Sequence, residues 1–104
     1  MNTNEPLKIL LHAPTAASLA RARSNAANLL KQDAPPEVRI VLNAEGVAAA
    51  LDQPDAGTDT LTLLCPNTLR KLGRTSREPL QVLDEGAVVA IARMQAQGWC
   101  YIRA

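Results

Sequence analysis

Short apolar runs alternate along the chain with segments that have the periodicity of amphipathic helices. The apolar runs predict five strands, at residues 7–12, 37–42, 60–64, 80–83 and 99–102. The intervening segments predict four helices, over residues 16–31, 44–51, 66–72 and 85–97. Strands that alternate with helices in this way predict an α/β fold, in which helices cover both faces of a parallel sheet.

The ends of the predicted helices carry residues that cap or interrupt helices. Thr15 and Asn43 have side-chain oxygens suited to capping the first and second helices, and Asp84 is suited to capping the last. Prolines at 35–36 end the first helix, because proline has no amide hydrogen to donate within it. Residues 74–79 are polar and predict an exposed connection.

Four polar or reactive side chains stand at the ends of predicted strands. They are His12, Asn43, Cys65 and Asp84. The carboxyl ends of parallel strands meet at one edge of the sheet, and α/β proteins bind their ligands at that edge. The sequence therefore predicts a candidate site that contains the single histidine and one of the two cysteines.

The composition of the chain argues against several classes of function. The chain is 47% hydrophobic and 20% charged, and its 104 residues fit one folded domain over residues 1–104. Eleven basic residues against ten acidic ones give a net charge of +1, and aromatic residues make up 2%. A nucleic-acid-binding domain usually needs a larger basic excess or more stacking rings. Two cysteines and one histidine cannot supply four zinc ligands, and no other cofactor is indicated.

Hydropathy predicts no membrane association. No apolar run reaches the roughly 18 residues that a membrane span requires. Residues 1–8 lack the charged start and apolar core of a signal peptide. We therefore expect a cytoplasmic protein with reduced thiols.

Residues 64–71, which read LCPNTLRK, carry the most specific chemistry in the chain. Pro66 suits the first position of a helix, so Cys65 falls at the N-cap. The free N–H groups and partial positive charge of a helix N-terminus stabilise a thiolate, which predicts a reactive cysteine. In the alternative interpretation, Cys65 is a small buried apolar residue at a strand end.

The spacing around Cys65 tests several thiol chemistries. The chain has no Cys-x-x-Cys pair, which excludes a thioredoxin-like dithiol. Arg70 follows Cys65 by five positions, one short of the tyrosine phosphatase spacing. Five positions is the spacing of a rhodanese loop, but the glycines of such a loop are missing here. His12 could act as a base toward Cys65 across the sheet edge; the alternative is a hydrogen-bonded structural histidine.

Five short motifs, each present once, are spread along nearly the whole chain. They are LLHAPT at 10–15, NAANLLK at 25–31, VLNAEGV at 41–47, LLCPNTL at 63–69 and GWCYIRA at 98–104. With these motifs the chain resembles the DsrE/DsrF-like family, also called YchN-like. The most specific of them is Cys-x-Asn-Thr-Leu, which begins at Cys65, followed by Asn-x-x-Gly-Val, which begins at Asn43.

The resemblance implies a fold, an assembly and a chemistry. The fold is a single three-layer α/β/α sandwich with a five-stranded parallel sheet in the order 4-3-2-1-5. Family members form trimers or hexamers, so a homo-oligomer is expected. The best understood members relay sulfur as a cysteine persulfide during sulfur oxidation or the synthesis of thiolated tRNA. Their motif cysteine corresponds to Cys65.

The resemblance makes Cys65 the expected persulfide carrier, with a pocket formed by Asn43, Asn67, Thr68 and Arg70. For Asn43, Asn67 and Thr68 the alternative is helix capping alone. Two functions remain open: a sulfur-relay protein with donor or acceptor proteins as partners, and a non-catalytic oligomeric module that binds a small ligand. A flavodoxin-like nucleotide or flavin binder is a weaker alternative, because no glycine-rich loop follows the first strand.

The predicted last strand places Cys100 between Trp99 and Tyr101. In the implied strand order the third and fifth strands are three spacings apart, on the order of 14 Å, which is too far for a disulfide between Cys65 and Cys100. We expect Cys100 to be a core residue. Trp99 and Tyr101 share the other face of the strand, where core packing is expected and a subunit contact is the alternative.

Overall fold

Strands and helices alternate along residues 6–104, which are the residues that the computed structural model describes. The strands are β1 (Lys8–Ala13), β2 (Glu37–Leu42), β3 (Thr62–Leu64), β4 (Gln81–Val82) and β5 (Cys100–Arg103). The helices are α1 (Ala16–Leu30), α2 (Glu45–Asp52), α3 (Pro66–Leu72) and α4 (Ala87–Ala96), and a 3-10 turn, Asp59–Leu61, precedes β3. Most of the segment inspected for a signal peptide, residues 1–5, lies outside the described range. No helix within that range is long and apolar enough to cross a membrane.

All five strands form one parallel sheet in the order β4-β3-β2-β1-β5, which confirms the expected α/β architecture. The first three crossovers step in one direction across the sheet, and the last returns from one edge to the other. Because such crossovers are right-handed, α1, α2 and α3 lie on one face and α4 lies on the opposite face.

The two faces of the sheet have separate cores. Leu11 and Ile40 belong to the larger core, which lies under α1, α2 and α3. Leu10, Val41 and Cys65 belong to the smaller core, which lies under α4. This division follows from the alternation of side chains along each strand. It places the Cys65 side chain on the α4 face.

Local sequence signals correctly predict both ends of α3 and the start of α1. The Thr15 hydroxyl accepts a hydrogen bond from the Ser18 backbone N–H at 3.0 Å, and the Ser18 hydroxyl accepts from the Thr15 N–H at 2.9 Å. This reciprocal pair is a capping box. Helix α3 begins at Pro66 and ends at Leu72, and its C-cap is Gly73, whose φ of 63° is left-handed. Each of these signals depends on neighbouring residues only.

The prediction that Asp84 caps the last helix is wrong. Helix α4 begins at Ala87 with Gly86 as its N-cap, and no side chain donates to or accepts from that cap. A Cβ added to Gly86 would lie 2.8 Å from the side-chain nitrogen of Asn67. Helix α4 thus begins two residues later than expected, with its N-cap glycine against the Asn67 side chain.

A buried ionic cluster lies beside the larger core. The Asp59 side chain is 2% exposed and lies 2.8 Å from an Arg77 guanidinium nitrogen and 3.4 Å from one of Arg23. Arg77 also donates to the backbone oxygen of Ala50 at 2.7 Å. The expectation that residues 74–79 are an exposed connection is therefore wrong for Arg77. That side chain turns inward because Asp59 supplies a buried negative charge.

Candidate functional site

A cavity of about 360 Å³ opens at the carboxyl edge of the sheet, between the starts of α3 and α4. Its polar lining comes from Asn43, Cys65, Asn67, Thr68 and Lys71. Its apolar lining includes the small residues that follow β2 and begin α4. The topology therefore brings the predicted pocket residues Asn43, Asn67 and Thr68 together with Cys65.

The Cys65 sulfur lies among hydrogen-bond donors. The residue is only 6% exposed, and its Sγ accepts from the Ala87 backbone N–H across 3.4 Å. Burial by itself raises the pKa of the Cys65 thiol. Hydrogen bonds from the backbone N–H groups of Ala87, Thr68 and Asn67 and from the Thr68 hydroxyl oppose burial and bring the pKa below its usual value. The site therefore favours the thiolate, as its N-cap position predicts.

A backbone hydrogen bond connects the end of β2 to this sulfur site. The Ala44 N–H donates to the Thr68 hydroxyl oxygen at 3.1 Å, which leaves the hydroxyl hydrogen for the Cys65 sulfur. Ala44 itself has φ 48° and ψ −136°, a left-handed conformation that side chains disfavour. The strained residue thus lies directly at the pocket, where it holds the Thr68 hydroxyl.

Asn43 lies at the pocket but does not cap α2. The N-cap of α2 is Ala44, and no side chain bonds to the first turn. The Asn43 Oδ1 is instead 2.9 Å from the His12 Nε2. The capping prediction is therefore wrong, because the neighbouring strand β1 supplies a tertiary partner for the amide. The alternative interpretation, a polar pocket residue, is the one that the contacts favour.

His12 contacts the pocket only through Asn43. Its Nδ1 is 2.6 Å from the Tyr101 hydroxyl and its Nε2 is bonded to Asn43, so both ring nitrogens have partners. Within residues 6–104, neither nitrogen is hydrogen-bonded to Cys65. The role of His12 as a base toward Cys65 stays a prediction, and its contacts are those of a hydrogen-bonded structural histidine.

The basic residue at the cavity is Lys71 rather than Arg70. Arg70 is exposed and donates to the side-chain oxygen of Asn67, outside the cavity lining. Lys71 lies three positions after Thr68 on α3, so the two share a helix face, and both line the cavity. Helical spacing could have found Lys71 from the sequence. The Ala87 N–H, which has no side-chain signature, could not have been found in that way.

The last strand departs from its predicted burial. Cys100 is exposed and Tyr101 is 39% exposed, so the expectation that both pack in the core is wrong. The reason is that β5 is an edge strand, which the helices on either face leave partly uncovered. Trp99 is half-buried and packs against the smaller core.

The lining of the cavity favours an anion. Lys71 is cationic, no carboxylate is among the lining residues of the described chain, and the Ala87 N–H donates to the Cys65 sulfur at the cavity wall. The same part of the chain holds no group of three or more His, Cys, Asp or Glu side chains arranged to hold a metal ion. The site thus combines a stabilised Cys65 thiolate with a small cavity lined by hydrogen-bond donors.

No protein-family model matches the chain, and no curated protein matches it.

Proposed function

We propose that the protein is a sulfur carrier, in which the Cys65 thiolate takes up a sulfane sulfur as a persulfide and passes it to another thiol. The observation that carries this proposal is the set of donors around the Cys65 sulfur, at the wall of a cavity to which residues 6–104 contribute no carboxylate. The motif resemblance to the DsrE/DsrF-like family supports it independently. The chemistry is sulfurtransferase-like, and the sulfur stays bound to Cys65 until an acceptor thiol takes it.

The transfer step requires only a thiolate and a donor with a sulfane sulfur, such as a polysulfide or a persulfide R–S–S⁻. The Cys65 Sγ attacks the outer sulfur of the donor and forms a new S–S bond. The S–S bond of the donor breaks, and R–S⁻ leaves with the electron pair. An acceptor thiolate then attacks the outer sulfur of the Cys65 persulfide, which restores the Cys65 thiolate.

The pocket residues have distinct tasks in this scheme. The Ala87 N–H and the Thr68 hydroxyl stabilise the thiolate before the attack. Lys71 attracts the anionic donor to the cavity. Asn67 lines the cavity at the start of α3, and its side chain lies beside Gly86 at the start of α4.

Mass spectrometry of the intact protein tests the proposal after exposure to inorganic polysulfide. We expect the Cys100→Ser variant to gain one sulfur atom that added thiol removes, and the Cys65→Ser variant to gain none at this site. Replacing Lys71 with Met should slow uptake, while Arg70→Met, which removes the same charge outside the cavity, should not. A folded Cys100→Ser protein whose Cys65 stays unmodified would refute sulfur relay.

The resemblance also implies a trimer or hexamer, and we propose a cytoplasmic homo-oligomer. Val88 is 73% exposed and Val89 is 45% exposed, and both lie at the cavity. Covering this apolar edge with a second subunit would remove it from water. Light scattering coupled to size-exclusion chromatography measures the assembly, and a monomer at all concentrations would refute it.

The same exposed valines favour one alternative, a non-catalytic oligomeric module whose small-ligand pocket lies between subunits. In that case Cys65 is an inert wall residue. The reaction of Cys65 with iodoacetamide at neutral pH separates the two functions. Rapid modification favours the sulfur carrier, and resistance in the folded protein favours the binding module.

A further inference from the structure

The two hydrogen bonds of the His12 ring define its tautomer. The Asn43 Oδ1 can only accept, so the His12 Nε2, at 2.9 Å, carries the hydrogen. In the neutral ring the Nδ1 is then the acceptor, and the Tyr101 hydroxyl donates to it across 2.6 Å. The ring is therefore held from both strands that flank β1, by Asn43 directly after β2 and by Tyr101 within β5.

This arrangement also orients the Asn43 amide. Because Oδ1 is directed at His12, the Nδ2 group is directed away from it. This Nδ2 donates to no acceptor within residues 6–104. It is also not one of the fully buried side-chain atoms that lack a hydrogen-bond partner, so the Nδ2 is in contact with solvent. Asn43 lines the cavity in front of Cys65, whereas His12 does not. The amide N–H groups are thus free to donate to a cavity ligand.

We propose that His12 is a positioning residue that acts through Asn43. The Asn43 N–H that His12 orients makes the cavity prefer thiol-reactive molecules, such as sulfur donors, that carry an anionic group. The selection rests on the proposed function, since it defines the class of sulfur donor that Cys65 would meet. An unheld asparagine could turn its amide and present Oδ1 to the cavity, where it would repel an anion. The bond to His12 Nε2 removes that orientation.

Other charged groups around the cavity support the same preference. Lys71 adds a cation to the lining, and none of the described residues that line the cavity is a carboxylate. Glu85, which precedes α4, is paired with Arg93 in the last turn of that helix. An anion in the cavity would therefore meet Asn43 N–H, Lys71 and the α4 start with no acidic neighbour in the lining.

The test compares two alkylating reagents of nearly equal size, anionic iodoacetate and neutral iodoacetamide. In each case the Cys65 thiolate forms a bond to carbon and iodide leaves. The ratio of the two rate constants is measured in a Cys100→Ser background, so that only Cys65 reacts. Because both reagents need the thiolate, the ratio is independent of how much thiolate a variant contains.

Three variants test separately whether Asn43 selects anions and whether His12 positions Asn43. Asn43→Asp keeps the acceptor for His12 but replaces the donor with a carboxylate oxygen, so the ratio of iodoacetate to iodoacetamide rates should fall by about tenfold or more. His12→Phe frees the amide and should lower the ratio several-fold. His12→Gln can still donate to Asn43 and should restore most of it. Thermal unfolding by circular dichroism verifies that each variant is folded.

Each contrary result has a definite meaning. An unchanged ratio in Asn43→Asp would overturn the selection of anions. A fall in Asn43→Asp with no fall in His12→Phe would overturn the positioning role of His12, and equal losses in His12→Phe and His12→Gln would reduce His12 to a packing residue. Alkylation requires no sulfur donor, so the ratio is measured whether or not Cys65 takes up sulfur from polysulfide. A folded protein whose Cys65 reacts with neither reagent would overturn the proposal.

Discussion

The backbone N–H of Ala44 donates to the hydroxyl of Thr68 across 3.1 Å, so the end of β2 holds the side chain that hydrogen-bonds the Cys65 sulfur. The hydroxyl is both acceptor and donor, and its hydrogen is directed by the backbone of a different element. The pKa of Cys65 therefore depends on a tertiary contact as well as on the N-terminus of α3.

Replacing Thr68 with Val should raise the pKa of Cys65, because the Val side chain cannot donate to the thiolate. Thr68→Ser, which keeps the hydroxyl, is the matched control. In the Cys100→Ser background, iodoacetamide should modify Thr68→Val more slowly at neutral pH and equally fast at a pH well above the thiol pKa. Equal rates for Thr68→Val and Thr68→Ser at neutral pH would contradict the role of the hydroxyl.

Because the pKa of Cys65 is lowered in the folded protein, the free energy of unfolding should depend on pH. The folded protein binds the Cys65 proton less tightly than the unfolded chain, whose thiol titrates at about 8.5. The contribution of Cys65 to the free energy of unfolding is therefore complete above that pH and is lost as pH falls through the folded-state pKa. Urea titrations of the wild type and Cys65→Ser should diverge as pH rises. A difference that stays constant with pH would argue against a stabilised thiolate.

Gly46 is the position where backbone space is tightest. An added Cβ would lie 2.1 Å from the carbonyl oxygen of Ala13, so Gly46→Ala should destabilise the protein by about 3 kcal/mol or more. Gly57→Ala is the control: its added Cβ meets nothing within 4 Å and should change stability by less than about 0.5 kcal/mol. Chemical denaturation measures both. Comparable stabilities for the two variants would mean that α2 and β1 do not approach so closely.

Asp59 should contribute to stability through its buried charge. Asp59→Asn leaves Arg23 and Arg77 without that partner, and we expect a loss of about 3 kcal/mol, at the lower end for a broken buried pair because both arginines keep some solvent contact. Asp52→Asn breaks the exposed pair with Arg74 and should cost less than about 1 kcal/mol. Urea unfolding of the two variants should rank them in this order, and the reverse ranking would contradict the buried cluster.

The two cysteines should respond oppositely to reagent size. Cys100 is exposed, so a bulky polyethylene glycol maleimide should modify it faster than Cys65, which is 6% exposed. Iodoacetamide is small enough for the cavity and should prefer Cys65, whose pKa is lowered. Gel shifts and mass spectrometry of Cys65→Ser and Cys100→Ser report each rate. Faster modification of Cys65 by both reagents would show that its surroundings are more open than the structure indicates.

Local physics accounts for what the sequence alone determined. The alternation of apolar runs and helical segments predicts the α/β class, because burial on both faces of a parallel sheet requires it. Thr15, Pro66 and Gly73 predict helix ends, and the Cys65 N-cap is predicted with them, since each depends on residues within one helical turn. The strand order was expected from the motif resemblance rather than from any local pattern.

Tertiary structure alone decided the environment of each candidate residue. His12 and Tyr101 are 89 positions apart in sequence, and they meet because β5 pairs with β1. The sequence predicts that Asn43 caps a helix, but the neighbouring strand supplies His12 as its partner. The expected strand order already made β5 an edge strand, but it did not specify that the helices leave Cys100 uncovered there. Composition and periodicity describe a residue and its near neighbours, whereas hydrogen-bond partners and solvent exposure depend on which distant segments pack beside it.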